Sequence, residues 1–186
     1  MSVPKLKEIS LAQLAAFVSD HLNRNGIEAV LTGGACVSLY TRNAYASFDL
    51  DFVLVSFEKK RLLKKVMEDI GFRLESGCFR HRETPFFIEF LPPPPSVGEE
   101  PVKEISTIEM HGKTLKLLSP TDCVKDRLAA FYHWNDRPSL DQALLVALNQ
   151  KCDVDEIGRW SSAENMKEKF ETFRSRLRKS RSQKQD

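Results

Sequence analysis

Residues 31–54 read LTGGACVSLYTRNAYASFDLDFVL: the end of one apolar strand, a Gly33-Gly34 turn, a short helix, and a second apolar strand carrying Asp49-Leu50-Asp51. On a strand, residues i and i+2 share a face, so Asp49 and Asp51 project together while Leu50 and Phe52 turn the other way. Two carboxylates roughly 4 Å apart repel by about 4 kcal/mol at an effective dielectric of ~20. A cation must offset that, and a hard divalent ion with oxygen ligands, Mg2+ or Mn2+, is the natural one. The glycines supply the other half of such a site. A Gly-rich turn entering a helix lets backbone N–H groups approach a phosphate, helped by the positive end of the helix dipole. A phosphate cradle beside paired carboxylates implies phosphoryl or nucleotidyl chemistry.

Working outward, Leu11, Leu14, Val18 and Leu22 recur at helical spacing, and Asn25-Gly26 closes that helix before a strand over 27–32. A helix over 34–42 and the carboxylate strand over 48–55 follow. Leu62, Leu63, Val66 and Ile70 mark an amphipathic helix ended by Gly71, and strands are expected at 72–75 and 85–91. Pro92–Pro95 cannot pair in a central strand and reads as a loop. Strands over 104–110 and 113–118 form a hairpin about His111-Gly112. Ser119-Pro120-Thr121-Asp122 opens a helix reaching about His133, and another runs from Pro138 to Leu148. Met166, Phe170, Phe173 and Leu177 give a last helical stripe, after which a charged, disordered tail is expected. The pattern predicts an α+β fold: a mixed β-sheet flanked by helices, with a C-terminal helical cap. Its expected divisions are a core over 1–118, the cap over 119–160, and a charged helix with its tail over 161–186.

Beyond the Asp pair, Glu89 stands out, because Phe86-Phe87-Ile88-Glu89-Phe90-Leu91 is too apolar to place an acid without a reason. It is a candidate third carboxylate; the competing account is a solvent-facing edge position or an ion pair to Arg80 or Arg82. Ser38, Ser47 and Arg42 lie on the connection between the glycines and the acids and are candidate phosphate or sugar contacts. The competing account of Asp49 and Asp51 themselves is a pair of edge charges facing solvent.

Gly33-Gly34, a short helix and Ser47-x-Asp49-x-Asp51 resemble the signature of the DNA polymerase β-like nucleotidyltransferase superfamily, in particular its small minimal members, including the nucleotidyltransferase-like toxins of type IV toxin–antitoxin pairs. Fourteen residues lie between Gly34 and Asp49, a long spacer for that pattern, and Gly34 stands where many relatives carry serine. The resemblance implies a nucleotidyltransferase fold and transfer of a nucleoside monophosphate from a nucleoside triphosphate (NTP, ATP among them) to a hydroxyl of RNA or tRNA, protein or a small molecule. It implies Asp49, Asp51 and Glu89 as catalytic metal ligands, with Glu89 as general base. Asp122-x-x-Lys125 is similar to a toxin motif whose lysine meets the triphosphate, and an antitoxin protein would then be the partner. The alternative is a catalytically inactive nucleotide-binding or protein-interaction module on the same fold.

Bulk properties narrow the rest. The chain has 186 residues, 41% hydrophobic and 29% charged, with a formal net charge of +2. That describes one ordinary globular domain with no strong polyanion preference in its total charge. No apolar run is long enough for a membrane span and no signal-like N-terminus is present, so a cytoplasmic protein without a membrane partner is expected. Cys36, Cys78, Cys123 and Cys152 are scattered without Cys-x-x-Cys spacing, which fits reduced thiols.

Overall fold

Ser10 caps the first long helix, α1 (Leu11–Arg24), by a reciprocal pair of bonds with Gln13: the Gln13 N–H donates to the Ser10 hydroxyl and the Ser10 N–H to the Gln13 side chain. This capping box sets the entry to a computed structural model that describes residues 5–58 and 60–183. After α1 come β1 (Ala29–Thr32), α2 (Gly33–Tyr40), β2 (Asp49–Leu54), α3 (Lys60–Glu68), β3 (Arg73–Glu75), β4 (Cys78–Arg80) and β5 (Phe87–Leu91). A small ribbon, β6 (Ser96–Val97) with β7 (Glu100–Pro101), leads to the hairpin β8 (Ile105–Met110) and β9 (Lys113–Leu118). Four helices complete the chain: α4 (Pro120–Trp134), α5 (Arg137–Asn149), α6 (Val154–Ala163) and α7 (Lys167–Ser182).

Seven strands form one mixed sheet in the order β3-β4-β5-β2-β1-β9-β8. β2 lies at its centre, antiparallel to β1 and parallel to β5. Leu50 and Ile88, paired across β2 and β5, are fully buried on one face, as the period-2 alternation requires. The expected α+β mixed sheet flanked by helices is the fold observed. The hairpin turn at His111-Gly112 has both residues at positive φ, the left-handed pair that a two-residue hairpin needs, which Gly112 accommodates without a side chain.

Several elements differ from the sequence reading. The strand predicted over 72–75 is half of a hairpin, β3–β4, turning through Ser76 and Gly77. Its second strand has three residues, too few to show a period. Beyond the polyproline loop, the β6–β7 ribbon is tied to the helical cap by the Trp160 indole N–H donating to the Val97 carbonyl. Helix α6 was not anticipated. Asp153 caps it by accepting from the Glu156 N–H, and buried Ile157 and Trp160 anchor it. The tail expected to lose order after Leu177 continues as helix to Ser182, held where Arg181 donates to the Ala147 carbonyl; residues 184–186 lie outside the described residues. Phe170, Phe173 and Leu177 of α7 are buried in the common core, so this helix is an integral part of the fold.

Candidate active site

Strand register does most of the work of assembling the acids. Asp51 pairs directly with Glu89 on parallel β5 and with Thr32 on antiparallel β1. Residues opposite one another on neighbouring strands point to the same face, so Asp51 and Glu89 project together, and Asp49, two residues before Asp51, joins them. The structure thus brings Asp49, Asp51 and Glu89 onto one face of the sheet. All three are partly buried.

Gly33 fits against this cluster for a steric reason. Its φ of +65° is left-handed, and a Cβ at that position would run into the Asp51 carboxylate. A side chain at residue 33 would therefore meet both backbone strain and a collision with the acid. Gly34 is nearly as constrained: a Cβ there would approach the Ser47 hydroxyl to 2.9 Å and the Tyr45 ring to 3.2 Å. The glycine pair is what allows α2 to start directly against the carboxylates.

The connection between α2 and β2 is pinned from inside. Ser38, fully buried, donates its hydroxyl to the Gly34 carbonyl (3.2 Å) and accepts from the Ser47 N–H (3.2 Å). Ser47 in turn donates its hydroxyl to Asp49 Oδ1. The geometry gives Ser38 a positioning task in place of the ligand contact expected of it: it holds Ser47, which holds Asp49. Arg42 is exposed beyond the C-terminus of α2, about 12 Å of helix away from Gly33, so it stands off the glycine turn.

Lys125 is already paired within the chain. Its ammonium, nearly buried, donates to Glu156 Oε1 at 2.8 Å and sits 3.5 Å from Asp122 Oδ1. Glu156 is shared with Arg159, which bridges on to Glu100. The expected nucleotide lysine is thus a structural ion pair joining α4 to α6. Sequence reasoning passed over its neighbour: Arg127, two residues on, is the α4 cation whose field reaches Asp51. Arg127 is held by Asp126 at 2.6 Å and by Gln142 at 3.4 Å. The two side chains are about 200° apart around the helix, a difference readable only once the face toward the sheet is known.

The electrostatic consequence falls on Asp51. Burial, then the like charges of Asp49 and Glu89, push its carboxyl from 3.8 up to about 6, with Arg127 working in the opposite direction. A carboxyl raised by burial and by two neighbouring acids sits in a local deficit of positive charge. The donors are all carboxylate oxygens, the set that Mg2+ or Mn2+ takes, and a divalent ion would remove that deficit. As they stand, no three His, Cys, Asp or Glu side chains among the described residues converge as a metal-binding group. The chemistry of the donor set therefore fits the ion, while the arrangement is not closed around one. The cysteines are free thiols, three of them buried, and among the described residues no helix is long and apolar enough to cross a membrane.

No protein-family model matches the chain, and no characterised protein matches it by sequence. Among solved structures it is similar to an antigenic nucleotidyltransferase-like protein from Paracoccidioides brasiliensis, with a TM-score of 0.56 and 14% identity over 78% of this chain and 77% of that one. It is also similar to ANT(2")-Ia in complex with adenylyl-2"-tobramycin (TM-score 0.52, 13% identity, 89% of this chain and 97% of that one). The solution structure of the antibiotic-resistance factor ANT(2'')-Ia gives a TM-score of 0.53 at 12% identity, over 94% of this chain and all of that one. At such identities the likeness establishes the fold: this chain has a nucleotidyltransferase fold.

Proposed function

We propose that this protein is a metal-dependent nucleotidyltransferase that moves a nucleoside monophosphate from an NTP to a hydroxyl acceptor. The observation that carries this reading is the register-aligned trio Asp49, Asp51 and Glu89, with Asp51 lodged against left-handed Gly33. Mg2+ or Mn2+ held by these three acids would neutralise the triphosphate and lower the pKa of the attacking hydroxyl. Gly33 and Gly34 keep the first N–H groups of α2 open to the triphosphate, and the Ser38–Ser47 bridge fixes the orientation of Asp49. Glu89 accepts the proton of the acceptor hydroxyl. The hydroxyl oxygen bonds to the α-phosphorus, the bond from that phosphorus to the bridging oxygen breaks, and pyrophosphate leaves. Two further facts support the reading: the fold is shared with ANT(2")-Ia, which is seen with an adenylylated compound, and Asp51 carries a charge deficit that a divalent ion would relieve.

The toxin-like part of the resemblance is not carried into this reading, because it rests on Lys125, which Glu156 and Asp122 already hold. Pyrophosphate release in the presence of Mg2+ and NTP, compared between wild type and Asp51→Asn, tests the proposal. Release by the wild type that is lost in a folded variant is expected; equal release by both would overturn it.

A further inference from the structure

Lys125 and Arg127 sit two residues apart on α4 and are held in different ways. Lys125 reaches Glu156 on α6, so its ion pair joins two elements. Arg127 takes its carboxylate from the residue before it: Nε and Nη2 both donate to Asp126 Oδ2, at 2.9 and 2.6 Å. A pair between neighbours on one helix joins no elements; it fixes the plane of the guanidinium. Nη1 donates to the Gln142 side chain on α5 at 3.4 Å, a long contact with a neutral group. A guanidinium has five N–H groups, and one on each of Nη1 and Nη2 is left without a bond among the described residues. Arg127 is thus oriented and mostly buried, its side chain 19% exposed, with donors free.

Helix packing brings those donors to the glycine turn. Cys123 of α4 meets the Cys36 thiol of α2, and Cys36 is one turn from Gly33. Arg127 is one turn beyond Cys123 on the same face of α4. At the far end of α2, Gln150 donates to the Tyr40 carbonyl at 2.7 Å. Gln142 lies about 12 Å back along α5 from Gln150, which is about the length of α2. Arg127 and Gln142 therefore stand toward the Gly33 end of α2, near Asp51, and the charges of Arg127 and Asp51 act on each other. These helices also leave the sheet on one side of the acids. β1 and β9 are parallel neighbours, with Leu31 opposite Leu117, so Gly33 and Ser119 emerge at the same end, whereas Glu89 lies across β2 on β5. In an in-line displacement the attacking and leaving oxygens occupy opposite sides of the phosphorus. With Glu89 taking the acceptor's proton on the β5 side, the β1–β9 side is left for the departing pyrophosphate.

We propose that Arg127 anchors the leaving group: its two free N–H groups donate to the β- and γ-phosphates of the bound NTP and hold the pyrophosphate as it departs, with Gln142 positioning the guanidinium. This rests on the carboxylate cluster being the site of nucleotidyl transfer. As the bond from the α-phosphorus breaks, the bridging oxygen keeps its electron pair and the pyrophosphate gains negative charge. A fixed guanidinium fork suits phosphate oxygens, and it binds them without reorganising because Asp126 already sets its plane.

The test measures equilibrium binding, in Mg2+ and without acceptor, of ATP, GTP, CTP and UTP, of the monophosphate of whichever binds best, and of inorganic pyrophosphate. Wild type is compared with Arg127→Gln. The variant should bind the triphosphate and pyrophosphate about tenfold to a hundredfold more weakly, the loss of a charge-assisted pair of hydrogen bonds, and the monophosphate within about twofold of wild type. Gln142→Met should lower the preference for triphosphate over monophosphate about threefold while leaving monophosphate affinity unchanged. Should Arg127→Gln not fold because Asp126 loses its partner, Asp126→Asn/Arg127→Gln removes both charges and carries the same expectation. A folded variant that binds triphosphate and pyrophosphate as wild type does overturns the proposal. So does an equal loss for monophosphate and triphosphate, because Arg127 would then act on the acids or the fold and not on the terminal phosphates. Failure of the transfer reading looks different: wild type that binds none of the four triphosphates and no pyrophosphate, which overturns both.

Discussion

Around the start of β2, Asp49, Asp51 and Glu89 face the same way with the same charge, whereas around Lys125 the charges alternate: Asp122 and Glu156 against the lysine, then Glu156 and Glu100 against Arg159. Both regions put ionisable groups in partly buried places. In the second, every charge has an opposite neighbour, and hydrogen bonds from Arg159 and Lys125 hold Glu156 down at about 2. In the first, burial and repulsion hold Asp51 up at about 6. Ion pairs that are complete within the chain serve the structure. A cluster left incomplete needs a ligand to finish it, and that difference separates a site from a strut.

The largest effect that would sharpen this contrast is on catalysis. Asp51→Asn should lower nucleotidyl transfer by roughly a hundredfold to a thousandfold, as for loss of one preorganised electrostatic group. The same change should raise the unfolding midpoint in chelator, since it removes a like charge. Paired activity and melting measurements check both directions, and a variant that lost activity and stability together would break the comparison. Gly33→Ala comes next. It forces a Cβ toward the Asp51 carboxylate at a left-handed φ, and the expected destabilisation is about 2–4 kcal/mol. Urea unfolding reads it directly; a neutral result would mean that the contact is loose.

On the compensated side, Glu156→Gln leaves the nearly buried Lys125 ammonium with Asp122 at 3.5 Å as its remaining carboxylate. A loss of about 2 kcal/mol is expected, largely restored by Lys125→Met in the same background, because replacing both members of a buried pair is far milder than removing one. An unrestored double variant would indicate that the lysine has a role beyond this pair.

The smallest effect is in pH. The folded pKa of Asp51, about 6, lies above its ordinary 3.8. Its contribution to stability is therefore fully present below about pH 4 and lost as pH rises through 6. For this partly solvated group that amounts to about 1–2 kcal/mol. Metal-free wild type should lose this increment relative to Asp51→Asn across that window, as measured by unfolding at several pH values; parallel curves would contradict it.

The acid-bearing end of the molecule is the most legible part of the sequence, for a local reason. Gly33-Gly34 and the i, i+2 spacing of Asp49 and Asp51 act within one strand–helix–strand unit, and Glu89 was marked by its unfavourable apolar surroundings. What the sequence hid depends on distant packing. Which of Lys125 and Arg127 looks toward the sheet is decided by the face on which α4 packs. Ser38 has a hydroxyl suited to a ligand, but its position inside the Gly34–Ser47 connection buries it. The strands of β4, β6 and β7 are too short for a periodic pattern. Helix α6 did leave a trace: Asp153 three residues before Glu156, then Ile157 and Trp160 at helical spacing, a start signal diluted by the surrounding charges.

The central claim, that the β2 acids form an incomplete site finished by metal and nucleotide, is tested most directly by thermal unfolding of wild type and Asp49→Asn/Asp51→Asn with each NTP, with and without Mg2+. A nucleotide present at one hundred times its dissociation constant should stabilise the wild type by about 2.7 kcal/mol. The account predicts a stabilisation that requires Mg2+ and disappears in the variant. No stabilisation by any triphosphate, or an equal one in the variant, would contradict it.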